Sequence, residues 1–199
     1  MSETGRGAAP GPDGRLRCPW SIGSADYLRY HDEEWGCQVR DDRGIFERLC
    51  LEGFQSGLSW LIILRKRENF RAAFRGFDIA AVAAFGPDDT DRLAADPGIV
   101  RNRAKIEAVI RNARAALELP AGLSALVWRY AGEQVPAPRT LDDVPASTAE
   151  SKALSRELRR RGFSFTGPVT AYATMQACGI VDDHLIDCFR RDGARLPTR

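Results

Sequence analysis

With 199 residues, 44% of them hydrophobic, the chain has enough apolar surface for one well-packed domain and too much to be disordered over most of its length. Lys+Arg 29 against Asp+Glu 27 leaves no global basic field, so any nucleic-acid surface must be local, and no window approaches a membrane span. Five cysteines (Cys18, Cys37, Cys50, Cys178 and Cys188) are an odd number. Without a signal peptide this argues against a disulfide framework and predicts a cytoplasmic protein whose thiols are buried or hold metal.

Residues 1–16, rich in Gly and Pro, are expected to be a flexible leader, with a single domain over 17–189 and a basic tail over 190–199. Ser24 caps a helix through Glu34 that sets Tyr27, Tyr30, His31 and Glu34 on one side, bracketed by Trp20 and Trp35. So many rings suit a small aromatic core and a stacking pocket equally. A second helix over 41–56 has the apolar face Ile45, Phe46, Leu49, Cys50 and Gly53, which puts Glu52 on its rim, half buried. An unpartnered carboxylate there is costly, so either an arginine or a cationic ligand should meet it. After a break at Gly57, a helix over 59–74 turns Trp60, Ile63, Leu64, Phe70 and Phe74 toward the interior that Glu52 borders.

Two short helices, over 79–85 and 88–95, lead to the tight turn Asp96-Pro97-Gly98-Ile99-Val100-Arg101 and a long helix to Leu117, buried through Ile106, Val109, Ile110, Ala113 and Leu117. Turn amides and a following helix N-terminus can hold a phosphate, and Arg101, Arg103 and Lys105 add positive charge beside it. A helix over 123–130 follows, then an extended crossing marked by Pro136, Pro138 and Pro145. Ser147 with Glu150 reads as the capping box of a helix ending in Arg159-Arg160-Arg161-Gly162, and Gly167-Pro168 opens another through Cys178. Every element reads as helix, so the expected class is all-α.

The two histidines each keep company with a cysteine: Cys18 lies thirteen residues before His31, and Cys188 four after His184. On a helical turn, His184 and Cys188 would share one face and could chelate one ion. Four N/S donors suit one structural zinc with no open position. Ordinary buried histidines and cysteines are the alternative, because the long separation between the pairs is not a standard finger spacing.

Cys18-Pro19-Trp20, Tyr27-Leu28-Arg29-Tyr30-His31-Asp32-Glu33-Glu34-Trp35-Gly36, Leu51-Glu52-Gly53 with Gln55-Ser56-Gly57-Leu58-Ser59-Trp60, Lys66-Arg67-Glu68-Asn69, and Met175-Gln176-Ala177-Cys178-Gly179 with Asp183-His184 form a specific set. Together they resemble the DNA-3-methyladenine glycosylase I family, a zinc-containing branch of the helix-hairpin-helix glycosylases, over residues 18–188. The resemblance implies an all-α helix-hairpin-helix domain whose terminal segments are tied into a lobe by one zinc on Cys18, His31, His184 and Cys188. It further implies Tyr30 and Trp60 as faces stacking on a damaged base, Glu52 as its reader and catalytic carboxylate, and Trp20, Tyr27 and Trp35 as the rest of the pocket. Phe54 stands where one well-known member of that family carries glutamine, and that departure bears on pocket detail or loop packing.

The expected activity is monofunctional hydrolysis that releases 3-methyladenine from alkylated double-stranded DNA, by a monomer. Leu58 on the Gly57 turn is expected to fill the gap left by the flipped base, while Gly98, Val100 and Arg101 hold backbone phosphate. No aspartate beyond the hairpin stands out as a second stabiliser of the oxocarbenium, and no lysine is placed for strand cleavage. The competing expectation is a non-catalytic helix-hairpin-helix module that recognises damage and carries structural zinc. A small-molecule zinc hydrolase would need an open metal position, which four protein ligands do not leave.

Overall fold

The computed structural model describes residues 7–132 and 136–193. Helices α1 (Ala25–Glu33), α2 (Asp42–Gln55), α3 (Trp60–Ala73), α4 (Ile79–Ala83), α5 (Pro87–Ala95), α6 (Arg103–Leu117), α7 (Gly122–Trp128), α8 (Ala149–Arg160), α9 (Pro168–Ala177) and α10 (Phe189–Gly193) make up most of it. None is long and apolar enough to cross a membrane.

Helix α2 lies at the centre, packed by α3, α6, α7 and α9. Asp41 starts it by accepting the Gly44 N–H at 2.7 Å, the expected cap. With neighbours on all sides, its second half is buried from Leu49 through Phe54 without interruption, Glu52 included. The half-buried rim position expected for Glu52 is therefore corrected to a buried one. Phe54 enters an aromatic core, 4.6 Å from Phe70 and 6.0 Å from Phe74 between ring centroids. The Phe54 side chain thus serves packing, where full burial of a phenylalanine stabilises by about 1.5–3 kcal/mol.

Local departures from expectation have local causes. The chain is not wholly helical: Ala9–Pro10 (β1) pairs antiparallel with Leu16–Arg17 (β2), Ala9 opposite Arg17. Residues 1–6 of the expected leader lie outside the described residues, but 7–16 fold into this hairpin, anchored by the buried Arg17. The capping box of α8 sits one residue later than Ser147 and Glu150 suggest. Thr148 Oγ1 accepts the Ser151 N–H at 3.2 Å and the Ser151 hydroxyl accepts the Thr148 N–H at 2.9 Å. Leu117 is 55% exposed: the last turn of α6 buries Ala113, Ala115 and Ala116, which leaves Leu117 on the outward side. The basic tail does not begin at 190: Arg190 is buried within α10, and Arg191 donates to the Asp182 and His184 carbonyls.

Candidate active site and cysteine–histidine cluster

Ser24 fixes the start of α1 by accepting the Tyr27 N–H, and the helix period then places Tyr30 one turn beyond Tyr27. The Tyr27 hydroxyl accepts the Leu61 N–H at 3.0 Å, which holds the first turn of α3 against α1. Trp60, the first residue of α3, is thereby set against Tyr30 with centroids 5.4 Å apart and planes inclined by 50°. Trp20 closes on the same group, 5.9 Å from Tyr27 and 6.4 Å from Tyr30. The indole N–H of Trp60 is buried without a hydrogen-bond partner among the described residues. Leaving such a donor unsatisfied costs roughly 1–3 kcal/mol, so the site holds unused bonding capacity.

Glu52 supplies the acid. It is 7% exposed and has no hydrogen bond or ion pair among the described residues, and desolvation pushes its carboxyl from 4.5 up to about 8. Tyr30 is pushed well above an ordinary phenol, first by burial and then by the charge of Glu52. With no arginine or lysine paired to it among the described residues, burial favours the neutral form of the Glu52 carboxyl.

Leu58 is 39% exposed just beyond α2, on a turn whose Gly57 has φ +81°, a conformation that favours glycine. At the 96–102 turn, Lys66 Nζ donates to the Pro97 carbonyl at 2.8 Å and Asn69 Nδ2 to that of Gly98 at 3.2 Å, so α3 clamps the turn. A Cβ at Gly98 would lie 3.2 Å from Asn69 Cβ, which accounts for the glycine. The Gly98 amide is not free for a ligand, since it donates to Asp96 Oδ1 at 2.7 Å. Those of Val100 and Arg101 have no partner among the described residues. The expected charge cluster is corrected as well. Lys105 is buried and donates to the Phe54 and Ser56 carbonyls at 2.9 and 2.6 Å, closing the end of α2, while Arg103 pairs with Asp91. Arg101 alone remains exposed and unpaired among the three.

Cys18, His31 and Cys188 bring three buried donor atoms within 4.8 Å of one another. His31 Nε2 lies 3.4 Å from Cys188 Sγ, while its Nδ1 meets Asp32 Oδ1 at 2.8 Å. The His184 ring stands 5.0 Å from that of His31, with Nδ1 on Asp182 Oδ1 at 2.9 Å and Nε2 buried without a partner. Residues 184–188 form an irregular turn, not the helical turn expected, and the group of donor atoms within 4.8 Å of one another does not include His184. The Cys18 thiol and His31 together hold Cys188 well below an ordinary thiol, against its burial; Cys18 is pushed up by Cys188 and by burial. Trp35 belongs to this cluster by position. Its ring lies 4.6 Å from His184 and 6.2 Å from His31, and Trp20, 5.1 Å away, links it to Tyr27 and Tyr30. Asp32 and Asp182, which sequence reasoning passed over, were detectable as carboxylates within two residues of each histidine.

Comparison with known proteins places this geometry. The sequence model of the methyladenine glycosylase family matches residues 20–191. The DNA-3-methyladenine glycosylase 1 of Escherichia coli is 46% identical over 177 residues, 86% of this chain and 95% of that one. The DNA-3-methyladenine glycosylase of Haemophilus influenzae is 44% identical over 180 residues, 86% of this chain and 96% of that one. A crystal structure of a tyrosine-to-phenylalanine variant of 3-methyladenine DNA glycosylase I in complex with 3-methyladenine superposes with a TM-score of 0.83 at 32% identity, covering 92% of this chain and 99% of the other. With an arrangement of rings and buried acid on the same scaffold, and a match over most of its length, the chain belongs to the methyladenine glycosylase family.

Proposed function

We infer that the protein is a DNA glycosylase that extrudes 3-methyladenine from alkylated duplex DNA and hydrolyses its bond to deoxyribose. The observation that carries this reading is Glu52, a buried carboxyl without a cationic partner among the described residues, whose charge acts on Tyr30, the ring set against Trp60. An adenine methylated at N3 while still joined to deoxyribose is cationic. It stacks well on electron-rich rings, and its charge lowers the pKa of Glu52 so that the carboxylate forms on binding. Water adds to C1′ as the bond from C1′ to the base nitrogen breaks. The base leaves neutral, and Glu52 is the buried acceptor for the proton that water releases. Because the leaving group already carries its positive charge, no general acid is needed. No lysine adjoins the rings, so the strand is left uncut.

DNA is held in this reading by the α5–turn–α6 unit, a helix-hairpin-helix, through the free amides of Val100 and Arg101 and the Arg101 side chain. Leu58 enters the stack where the base has left. Cys18, His31, His184 and Cys188 fit one structural zinc. The donors are two nitrogens and two sulfurs, each histidine has its Nδ1 on a carboxylate, and the unpaired Nε2 of His184 is accounted for as a ligand atom. Bound there, zinc would crosslink the two terminal segments, without part in the reaction.

The test is direct. Duplex DNA treated with a methylating agent and incubated with the protein should yield free 3-methyladenine by chromatography, with intact abasic strands. A purely damage-binding module would retain the DNA and release no base.

A further inference from the structure

Arg17 is 2% exposed although the five residues before it lie at the surface. Three segments distant in sequence enclose its guanidinium. From the hairpin, Asp13 accepts at 2.5 and 2.9 Å and the Arg15 carbonyl at 3.2 Å. From α1, Asp32 accepts from Nε at 2.9 Å and from NH2 at 2.8 Å, a two-pronged pair. From the C-terminal segment, the Phe189 ring centroid lies 4.8 Å from the guanidinium carbon. The hairpin closes over the group only because residue 11 is glycine, where a Cβ would fall 2.5 Å from the Arg17 NH1.

The contacts touch the cysteine–histidine cluster at each of these points. Arg17 precedes Cys18, Asp32 follows His31 and Phe189 follows Cys188. Asp32 Oδ1, which accepts from Arg17 Nε, is the oxygen that meets His31 Nδ1 at 2.8 Å. A carboxylate on the far nitrogen sets the tautomer and ring orientation of a ligating histidine, but only if the carboxylate is itself fixed. A planar guanidinium fork fixes it in a way that a lysine ammonium cannot.

We propose that Arg17 and the hairpin over residues 9–17 form a latch that positions Asp32, and through it the His31 imidazole, so that the cluster retains its metal. The proposal rests on the zinc reading above. Arg17 is a positioning residue, touching neither DNA nor the base.

The experiment is zinc release from the full-length protein to a chromogenic chelator, with total zinc measured beforehand and the fold followed by circular dichroism. Wild type should carry about one zinc per chain. Arg17→Met and Arg17→Lys should release it roughly 10–100-fold faster, in the range seen when partners of metal ligands are changed. Asp13→Asn lies on the partly exposed hairpin, where a failure to fold is not expected, and it should speed release in the same direction. The cobalt-substituted Arg17→Lys protein should show altered thiolate-to-metal absorption bands. A wild type without zinc sinks the zinc reading and the latch together. One zinc in wild type, with release and cobalt spectra unchanged in Arg17→Lys and Asp13→Asn, overturns the latch alone.

Discussion

The charge of Glu52 acts on Tyr30, raising its phenol after burial has done so, while burial alone lifts the Glu52 carboxyl to about 8. Glu52 has no arginine or lysine paired with it among the described residues, and Arg48 opposes the rise at Tyr30. The fold therefore holds an acid in an unfavourable state. Removing that acid should stabilise the free protein at alkaline pH. With the folded pKa near 8 and the unfolded one near 4.5, the protonated form contributes fully below pH 4.5 and its contribution is lost as pH rises toward 8. Glu52→Gln should match wild type in urea unfolding at pH 4.5 and exceed it at pH 8.5, by at most about 5 kcal/mol. Equal differences at both pH values would contradict the burial.

Trp60 is positioned by the Tyr27–Leu61 contact and packs at the edge of the core. Trp60→Ala should lower kcat/KM on alkylated duplex by roughly 5–150-fold, the equivalent of about 1–3 kcal/mol of stacking on one base. Steady-state kinetics checks this, and a loss under twofold would remove Trp60 from the pocket.

Phe54→Gln leaves an amide among Phe70 and Phe74. Stability should fall by about 3–5 kcal/mol, as for other large losses in an aromatic core, while the proportions of bases released stay unchanged. Chemical denaturation and product chromatography measure the two quantities. A changed product profile at unchanged stability would put Phe54 in the pocket.

Arg101→Ala should weaken binding to undamaged duplex evenly across sequences and reduce the slope of log affinity against log salt by about 0.9. Titrations at several salt concentrations measure the slope. An unchanged slope would remove Arg101 from the phosphate contacts.

His184→Ala removes the donor with the unpaired buried Nε2. Zinc content should fall, and Tm should drop by about 10 °C, corresponding to a few kcal/mol for a chain of this size. Strong chelation of the wild type should produce the same shift, and a Tm indifferent to both would leave the cluster without a structural metal.

Helix starts carry side-chain caps: Ser24, read from the sequence, and Asp41, Asp78 and Asn102 each accept an amide of the first turn that follows. The short motifs that carry Tyr30 and Trp60 already suggested rings on one pocket, and the fold sets those two rings together. The burial of Glu52 was not readable, because an apolar stripe on α2 says nothing about how many helices surround it. Lys105 shows the same gap, a cation beside a phosphate-like turn in sequence that the fold directs into the end of α2. Arg17 and its hairpin were hidden by composition, since Gly and Pro mark flexibility until a buried charge organises them. The loop carrying His184 and Cys188 has no period to read; its shape comes from Asp182 and the crossing segment, whose Pro138 carbonyl accepts the Ile186 N–H at 2.8 Å.

The most direct measurement is the single-turnover rate of base release by Glu52→Gln, with DNA affinity and circular dichroism followed in parallel. A buried acid that reads the cationic base and accepts a proton predicts a rate lower by roughly 100-fold or more with the fold intact. Release of 3-methyladenine at the wild-type rate from folded Glu52→Gln protein would contradict the account.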